Sequence, residues 1–422
     1  MIQIDDTHFS KADFDAASAR FTEQLRLGAE PGRRYAVCFS ETADWLALFF
    51  AIRPVGASVL PIHPSTPHSA ARRLAEGAGC DRLFYNSLTA EILPDAVTVS
   101  GEGQLLQMSS GTTGAPKCVA RGWSEIQREV ESYVGHFAEP ETMTPVIACP
   151  TTHSYGLICG ILVALQRGQT PVIVNTANPK YLLKVLRETE RPLLYSSPAM
   201  LHTLAQLLPA DERIHGVMTS GTLLPEPWFA DIRAKSRHMF QQYGCSEAGC
   251  IAVNPDVVAA DEMGNVLPHL SLDAGERSAP GEIVVGGPHG PIHTRDLGYL
   301  KSDGTLVFVS RLDDTINVSG LNVYPKEVED VVMSMPGVTD AVAFRMADRF
   351  AGERVGLLFS TSGPVAISAL RDWCFAHLAS HQVPMEFVQV DAVPRQANGK
   401  ISRREVAQRH VDGTLALVAE PA

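Results

Sequence analysis

Four hydroxyl side chains, two glycines and one lysine fall within ten residues of this chain, in the string Met108-Ser109-Ser110-Gly111-Thr112-Thr113-Gly114-Ala115-Pro116-Lys117. Glycine lets a backbone turn through positive φ, and successive exposed N–H groups in such a turn form an anion-binding concavity. The hydroxyls and the lysine add donors for phosphate oxygens. The string therefore predicts a loop that holds a triphosphate. It is not a Walker A loop, because no Gly-Lys-Ser/Thr follows at the required spacing, and by composition alone it is also typical of a surface turn.

Two further strings place a charged side chain beside a glycine turn. Gln242-Tyr243-Gly244-Cys245-Ser246-Glu247 follows an apolar, strand-like run, and a carboxylate beside a triphosphate can hold Mg²⁺. Pro394-Arg395-Gln396-Ala397-Asn398-Gly399-Lys400 ends on a lysine whose compact ammonium can bridge a carboxylate and an α-phosphate. Taken singly, each string is more typical of a solvated turn.

Taken together, the strings resemble the motifs of the AMP-forming adenylating enzymes, which include acyl- and aryl-CoA synthetases, luciferases and carrier-protein adenylation domains. The first string is similar to the family's phosphate loop, with Met108 in place of an aromatic residue and Cys118 in place of a glycine. The second is similar to Tyr-Gly-x-Thr-Glu, with Ser246 in place of threonine. The third is similar to Pro-Lys-x-x-x-Gly-Lys-Ile-x-Arg, with Arg395 in place of the first lysine.

Two more strings complete the family order between residues 108 and 403. His293-Thr294-Arg295-Asp296 is similar to Thr-Gly-Asp, with Arg295 in place of glycine. Ser310-Arg311-Leu312-Asp313-Asp314 is similar to Gly-Arg-x-Asp-Asp, which places Asp313 at the family's hinge position. Gly320, shortly after it, would face the tunnel for an acceptor thiol.

The resemblance implies a site for ATP and Mg²⁺. Tyr243 would line the adenine, Asp296 and Arg311 would bind the ribose, and Glu247 would be the metal ligand. The residues implied to bind ATP or AMP are Ser109, Ser110, Gly111, Thr112, Thr113, Gly114, Lys117, Ser220, Gly221, Thr222, Gln242, Tyr243, Gly244, Asp296 and Arg311. The implied catalytic residues are Lys400, Ser246, Glu247 and His153.

The acid pocket is expected to begin at Pro150-Thr151-Thr152-His153-Ser154-Tyr155-Gly156. Amino-acid-activating members usually carry an aspartate here, and its absence disfavours a free α-amino acid, because an unpaired buried ammonium is costly. Aryl-acid members carry His-Asn-Tyr, which His153 and Tyr155 fit and Ser154 does not; fatty-acyl and phenylpropenoate members also use a histidine. We expect an aromatic or short apolar acid. The expected pocket residues are His153, Ser154, Tyr155, Cys159, Ala248, Gly249 and Cys250.

The elements that must position these residues belong to the α/β class. Short apolar runs bounded by breakers alternate with helical patterns and predict parallel sheets with crossover helices. The predicted strands are Tyr35–Phe39, Ser58–Ile62, Pro171–Asn175, Leu193–Ser196, Gly216–Thr219 and His238–Tyr243, and the predicted helices are Asp44–Ile52, Leu182–Glu190 and Met200–Leu208. Strand-like runs joined by Asp303-Gly304 predict an antiparallel hairpin within a small β-barrel-like subdomain over about residues 265–311.

A composition change after Arg311 predicts a second domain. We expect an N-terminal adenylate-forming domain over residues 1–312 and a mobile α+β domain over residues 313–422. In the second domain the predicted helices are Pro325–Met335 and Ile367–His377, and the predicted strands are Thr339–Arg345, Arg354–Ser360 and Phe387–Val390.

The composition of the 422 residues excludes several function classes. Hydrophobic residues make up 45% and charged residues 19%, which is typical of a globular enzyme. The formal net charge of −12 disfavours a nucleic-acid or anionic-membrane surface. Eight scattered cysteines without a CxxC pair suggest reduced thiols and a cytoplasmic location. The longest apolar run, near Leu157–Leu165, is far shorter than the ~20 residues that span a bilayer.

By resemblance, the expected activity is that of a two-step AMP-forming ligase. A carboxylate attacks the α-phosphate of ATP, the small domain turns about Asp313, and a thiol of coenzyme A or of a phosphopantetheinyl carrier protein takes the acyl group. Two alternatives stay open at this stage. One is a catalytically silent adenylate-binding or scaffold protein, and the other is an adenylating enzyme with a non-thiol acceptor.

Overall fold

The computed structural model describes residues 1–27, 32–109, 117–176, 178–395 and 401–415. Its strands are β1 (Ile2–Ile4), β2 (Thr7–Phe9), β3 (Arg34–Cys38), β4 (Ser58–Pro61), β5 (Arg82–Tyr85), β6 (Glu91–Ile92), β7 (Gln104–Ser109), β8 (Lys117–Gly122), β9 (Thr144–Ile147), β10 (Val172–Ile173), β11 (Pro192–Tyr195), β12 (Ile214–Thr219), β13 (Ser236–Cys245), β14 (Gly249–Asn254), β15 (Glu262–Val266), β16 (Ser271–Asp273), β17 (Gly281–Gly287), β18 (Gly290–Leu300), β19 (Leu306–Arg311), β20 (Ile316–Val318), β21 (Leu321–Val323), β22 (Val338–Asp348), β23 (Gly352–Thr361) and β24 (Glu386–Gln389).

The helices alternate with these strands along much of the chain. They are α1 (Lys11–Gln24), α2 (Thr42–Ile52), α3 (His68–Gly77), α4 (Trp123–His136), α5 (Val163–Gln166), α6 (Pro179–Glu188), α7 (Pro198–Leu207), α8 (Glu226–Ala234), α9 (Pro325–Met333), α10 (Ile367–His377) and α11 (Arg403–Val411), and a π-helix (Tyr155–Leu162) precedes α5.

The first sheet has the strand order β6-β5-β3-β4-β7-β8. Strand β3 is parallel to β4 and β5, whereas β7 and β8 form an antiparallel hairpin at the edge. The predicted strands Tyr35–Phe39 and Ser58–Ile62 are confirmed as β3 and β4, and the predicted helix Asp44–Ile52 is confirmed as α2. These predictions succeed because the runs are almost wholly buried, so an apolar pattern marks each of them.

The second sheet has thirteen strands in the order β16-β17-β18-β19-β15-β14-β13-β12-β11-β9-β10-β1-β2. Strands β9 to β13 are parallel, with α6, α7 and α8 as connections. Helices α6 and α7 begin before their predicted starts at Leu182 and Met200, because Asn178 and Ser197 cap their first turns and a proline follows each cap. The predicted strand Pro171–Asn175 is reduced to the two residues of β10.

At β14 the direction of the second sheet reverses. Strands β14 to β19 pair antiparallel, and β15 joins them to the parallel part by pairing with both β14 and β19. The predicted hairpin at Asp303-Gly304 is confirmed: Asp303 accepts a hydrogen bond from the Thr305 N–H, and Gly304 has a φ of +84°. The antiparallel region is thus a continuation of the large sheet, and the end of β13 lies where the two halves meet.

The C-terminal part, β20–β24 with α9–α11, forms an α+β unit around a five-stranded sheet. The long hairpin β22–β23 is its centre, and β24 adds in parallel to β23. Arg403, at the start of α11, forms ion pairs with Glu329 on α9 at 2.9 Å and with Asp314 at 3.2 Å. The start of α11 is therefore tied both to α9 and to the segment that enters the C-terminal part.

The two parts of the molecule meet at α8. The Trp228 indole N–H donates to the Thr339 carbonyl at 3.4 Å, and the backbone N–H of Glu226 donates to Asp330 at 3.0 Å. The Arg395 guanidinium lies 4.9 Å from the Trp228 ring centre. Across the described ranges, no helix combines the length and the apolar character that crossing a bilayer requires.

Candidate active site

The glycine-rich string connects two paired strands. Ser109 at the end of β7 pairs with Lys117 at the start of β8, so the two flanks of the string are neighbouring antiparallel strands. Residues 110–116, which include the expected Ser110, Gly111, Thr112, Thr113 and Gly114, lie outside the described residues. Lys117, the first residue of β8, is exposed. Cys118, which replaces the family's glycine, pairs with Met108 and packs beside the buried cluster around Cys80.

Ser246 and Glu247 lie on the tip of a second hairpin, between β13 and β14. Gly244 pairs with Cys250 and Cys245 with Gly249, so the two strands are close-packed to the tip. A Cβ on Gly244 would lie 2.2 Å from the Gly249 carbonyl oxygen, which explains the glycine. Glu247 is exposed and Ser246 is half-buried. Both side chains are therefore presented at the junction of the parallel and antiparallel regions.

Three residues of the expected nucleoside site meet on neighbouring strands. The Tyr243 hydroxyl donates to Asp296 Oδ2 at 2.7 Å, and Arg311 Nε lies 3.4 Å from Asp296 Oδ1. Asp296 and Arg311 are direct partners in the β18–β19 ladder. Burial, followed by the charge of Asp296, raises the pKa of Tyr243, so this hydroxyl remains a donor. The cluster offers one carboxylate and one guanidinium to a polyhydroxylated ligand.

The remaining residues expected to bind the nucleotide lie after β12 and on β13. Ser220, Gly221 and Thr222 directly follow β12, the neighbour of β13 in the sheet, and Gly221 has a φ of +90°. Gln242 is buried, and its Oε1 accepts from the Tyr133 hydroxyl of α4 at 3.0 Å. Because side chains alternate along a strand, Gln242 faces α4, opposite to Tyr243.

The expected acid pocket is built on the π-helix. The Tyr155 hydroxyl donates to the Met218 carbonyl at 2.6 Å, which fixes the ring against the ends of β11 and β12. Ser154 donates to Gln107 Oε1 at 2.6 Å, while His153 is exposed one residue earlier. A π-helix is rare and is often found at functional sites.

Three of the expected pocket residues, Cys159, Ala248 and Cys250, are small and buried. Cys159 and Cys250 are each 3% exposed, and Ala248 beside them is 5% exposed. Burial raises the pKa of Cys250, with a further contribution from Cys159, so its thiol is neutral. This set of residues is therefore apolar and uncharged, as an aromatic or short apolar acid requires.

The expected hinge residue is held by the residue that departs from the family motif. Arg295 Nη2 lies 2.6 Å from Asp313 Oδ1, and Arg345 donates to the Asp313 carbonyl at 3.0 Å. Arg295 has a φ of +62°, a conformation in which glycine costs least, which accounts for the family's preference there. In this chain Arg295 adopts this strained backbone conformation, and its side chain contacts the expected hinge residue Asp313.

The last two expected residues belong to the C-terminal part. Gly320 and Ser319 have φ values of +89° and +54° and form the tight turn between β20 and β21, as a two-residue hairpin of type I′ demands. Lys400 lies outside the described residues. Its flanks are fixed by the Arg395–Asp340 ion pair at 2.7 Å and by the contacts of Arg403.

The expected metal ligand Glu247 suits a magnesium ion. In the described part of the chain, no group of three His, Cys, Asp or Glu side chains could hold a metal by itself. Mg²⁺ is usually bound through one or two carboxylates together with phosphate oxygens and water, which the exposed Glu247 fits.

Sequence reasoning missed three residues that border the site. Gln107 holds Ser154, and Arg121 and Glu129 form a buried ion pair behind Cys250. A signal for Glu129 was present, because it shares the buried face of α4 with Ile126, Val130 and Tyr133. A charged residue on an otherwise apolar helix face indicates a buried partner.

Comparisons with known proteins identify the family of this chain. The family model described as AMP-binding enzyme matches residues 101–290, and the model described as AMP-binding enzyme C-terminal domain matches residues 327–400. The chain is 39% identical over 407 residues to a 3,4-dihydroxybenzoate–[aryl-carrier protein] ligase of Bacillus anthracis, covering 96% of this chain and 98% of the relative. It is 27% identical over 331 residues to a 2-succinylbenzoate–CoA ligase of Bacillus subtilis, covering 71% and 68%.

Solved structures share the fold. ATP-bound MatB from Rhodopseudomonas palustris superposes with a TM-score of 0.85 at 19% identity, covering 98% of this chain and 96% of that chain. MenE from Bacillus subtilis in complex with the acyl-adenylate OSB-AMP superposes with a TM-score of 0.83 at 23% identity, covering 96% and 94%. The expected two-domain α/β architecture is therefore confirmed.

Proposed function

Because this chain belongs to the AMP-binding enzymes, we propose that it activates a hydroxylated aryl acid as an acyl-adenylate and transfers the aryl group to the phosphopantetheine thiol of an aryl-carrier protein. The observation that supports the first step is the Tyr243–Asp296–Arg311 cluster, which lies beside the hairpin that presents Ser246 and Glu247. The observation that supports the second is the 39% identity, over almost the whole chain, to an aryl-carrier protein ligase.

In the first step, an oxygen of the acid attacks the α-phosphorus of ATP and the bond to pyrophosphate breaks. Asp296 and Arg311 hold the ribose, and Tyr243 lines the adenine and orients Asp296 through its hydroxyl. The loop from Ser109 to Lys117 binds the phosphates, with Ser246 and Lys400 at the α-phosphate. Mg²⁺ at Glu247 would offset the negative charge that develops on the phosphates.

We assign the acid to the space between the π-helix and β14. Cys159, Ala248 and Cys250 supply a flat, uncharged wall for an aromatic ring. Ser154 and Gln107 supply the polar atoms near the pocket mouth, and their pairing at 2.6 Å leaves acceptor and donor capacity for ring hydroxyls. The exposed His153 is the residue that we assign to the acid's carboxylate.

In the second step, the thiol attacks the acyl carbonyl and AMP leaves. We place the boundary between an N-terminal domain (1–312) and a C-terminal domain (313–422) at Asp313, so that a turn there withdraws Lys400 and brings Gly320 to the thiol path. One site cannot hold both the lysine and the thiol, which makes such a motion necessary. We place the enzyme in the cytoplasm because all eight cysteines are free thiols.

The decisive experiment separates the two half-reactions in a Lys400→Ala variant. Acid-dependent ATP–pyrophosphate exchange should fall about 100-fold or more, because the lysine acts only on the developing charge. Thioester formation from supplied aryl-adenylate should persist. Arg409→Ala, at an exposed ion pair on α11, is the matched control and should change neither. Equal loss of both half-reactions would contradict the role given to Lys400.

The substrate is tested by exchange over a panel of acids. Dihydroxybenzoates should exceed unsubstituted benzoate, fatty acids and α-amino acids. Thioester formation should be faster with a phosphopantetheinylated aryl-carrier protein than with coenzyme A. A preference for fatty acids, or for coenzyme A, would reject the corresponding part of the proposal.

A further inference from the structure

A buried ion pair lies behind the expected active site. Arg121, near the end of β8, and Glu129, on α4, approach to 2.5 Å, and their side chains are only 5% and 1% exposed. Arg121 Nη1 is also buried and finds no hydrogen-bond partner among the described residues. Burying two charges and an unpaired N–H donor costs desolvation free energy. Apolar side chains of similar volume often give the same or greater stability. The pair therefore calls for an explanation other than stability.

The pair contacts the hairpin that carries Ser246 and Glu247. Glu129 Oε1 accepts the backbone N–H of Cys250 at 2.8 Å, at the start of the returning strand β14. Gly249 packs directly on both charges: a Cβ there would lie 2.4 Å from Arg121 Nη1 and 2.4 Å from Glu129 Oε2. Gly249 also has a φ of +74°, so a glycine is required on both grounds.

The pair also spans the two sheets. Strand β8 belongs to the first sheet and leads out of the glycine-rich loop, whereas β14 belongs to the second sheet and leads out of the Ser246–Glu247 tip. The salt bridge of Arg121 with Glu129 and the hydrogen bond of Glu129 with Cys250 thus form one continuous polar connection between these two hairpins. Both hairpins must act on the same triphosphate under the function proposed above, on which this inference rests.

We propose that Glu129 is a positioning residue, which fixes the Ser246–Glu247 tip against α4 through the Cys250 N–H, and that Arg121 serves to pair its buried charge. Glu129 holds the tip through a backbone hydrogen bond, and Arg121 pairs with that carboxylate from β8. Misplacement of a phosphate-binding group by about 1 Å can cost on the order of 100-fold in rate, so a rigid connection has a direct catalytic value.

Two double variants separate positioning from simple loss of charge. Arg121→Met with Glu129→Gln removes both charges and keeps an acceptor for the Cys250 N–H. Arg121→Met with Glu129→Leu removes both charges and the acceptor. We expect the first to keep ATP–pyrophosphate exchange within about threefold of wild type, and the second to lose about tenfold or more, with a raised KM for Mg·ATP. Equal exchange in the two variants would overturn the proposal.

A control for stability is available in the same sheet. Arg33 and the buried Asp81 form a partly buried ion pair at 2.5 Å, beside β5, which three strands separate from β8. Asp81→Asn should lower the thermal midpoint. It should not lower exchange when each protein is assayed at the same number of degrees below its own midpoint. If Asp81→Asn lost as much exchange as the Leu-containing variant under these conditions, Arg121 and Glu129 would be merely structural.

The inference can be judged even if the proposed acid is wrong. Mg·ATP alone should raise the thermal midpoint of wild type and of the Gln-containing variant, and should raise it much less in the Leu-containing variant. This readout needs no acid, so a failed acid panel would reject the proposed substrate while leaving the positioning role testable. Equal ATP-induced shifts in both variants would reject the positioning role itself.

Discussion

At the scale of single residues, Asp296 makes the most closely defined contacts of the expected nucleotide site. It is 9% exposed and accepts from the Tyr243 hydroxyl, with Arg311 on the adjacent strand. A hydrogen bond to a charged group contributes about 1.5–3 kcal/mol, which is more than a neutral one. We therefore expect the charge of Asp296, and not only its shape, to decide ATP affinity.

Replacement of Asp296 by Asn tests this expectation. The variant keeps the volume and loses the charge, so the KM for ATP should rise about tenfold while the KM for the acid stays nearly constant. Exchange kinetics at varied ATP and varied acid give both constants. Asp211→Asn, at an exposed position before β12, is the control. A rise confined to the acid's KM would contradict the ribose assignment.

Ser154 is the residue at which the acid proposal can be tested most simply. Its hydroxyl donates to Gln107 and remains free to accept from a ring hydroxyl. Ser154→Ala should reduce the preference for dihydroxybenzoate over benzoate by about tenfold, because an unpaired polar group in a pocket discriminates strongly. The measurement is the ratio of kcat/KM for the two acids, and an unchanged ratio would remove Ser154 from the recognition site.

At the scale of elements, the proposed hinge at Asp313 lies at the contact between β18 and the start of the C-terminal part. Arg295 bonds Asp313 through its side chain, and the Leu312 N–H donates to the Arg295 carbonyl at 2.8 Å. The ion pair is partly exposed, so its worth to stability is about 1 kcal/mol or less. Its consequence should therefore be seen in the domain motion more than in folding.

Arg295→Gly and Arg295→Ala form a matched pair for this hinge. Both remove the ion pair with Asp313, but only glycine also removes the strain of a φ of +62°. Both should speed single-turnover thioester formation from a supplied adenylate and leave ATP–pyrophosphate exchange unchanged. The alanine variant should be the less stable of the two in thermal unfolding. If transfer slowed in both, the arginine would assist the motion instead of restraining it.

Elements that are buried along almost their whole length could be predicted from the sequence. Strands β3, β4, β11 and β12 and helix α2 are almost wholly buried, so an apolar run between breakers identifies each one. The glycine-bearing tips could also be predicted, because a tight turn leaves few residue choices, as at Gly304. These are local properties, and local sequence is sufficient for them.

Contacts between distant elements could not be predicted. Arg121 and Glu129 look like ordinary charges until β8, α4 and β14 are placed together, since their partner Cys250 is 121 residues away from Glu129. The role of Arg295 is hidden for the same reason, because its partner Asp313 lies in the turn that follows β19. Residues that resemble a motif could be identified from the sequence. Residues that contact those motifs from distant elements could not.

At the scale of the whole molecule, the C-terminal part rests on α7 and α8. His202 stacks on Trp228 with ring centres 4.6 Å apart and an interplanar angle of 6°, and Arg395 lies near the same indole. Asp231 on α8 and Asp340 on β22 also face His202. One aromatic ring thus collects contacts from both parts of the chain.

This arrangement predicts that the stability of the protein depends on the protonation of His202. Burial lowers the pKa of His202 below its ordinary 6.5, against the opposing charges of Asp231 and Asp340. The unfolded chain therefore binds the proton more readily, so the contribution of His202 is complete above pH 6.5 and is lost as pH falls through the lowered pKa of the folded protein.

The prediction is a difference between two stability profiles. His202→Phe keeps a ring against Trp228 and cannot be protonated. Between about pH 8 and about pH 5 the thermal midpoint of wild type should fall more steeply than that of the variant. Parallel profiles would show that other groups, and not His202, control acid stability.

The glycine at position 249 has a consequence for how this enzyme can change its choice of acid. A side chain has no room at this position, since even one methyl group would lie 2.4 Å from each of two fixed charges. Adaptation to shorter or longer acids is thereby directed to neighbouring positions that already carry a side chain, such as Cys159 and Cys250. Laboratory libraries aimed at new building blocks should randomise those positions and leave Gly249 untouched, unless positions 121 and 129 vary with it.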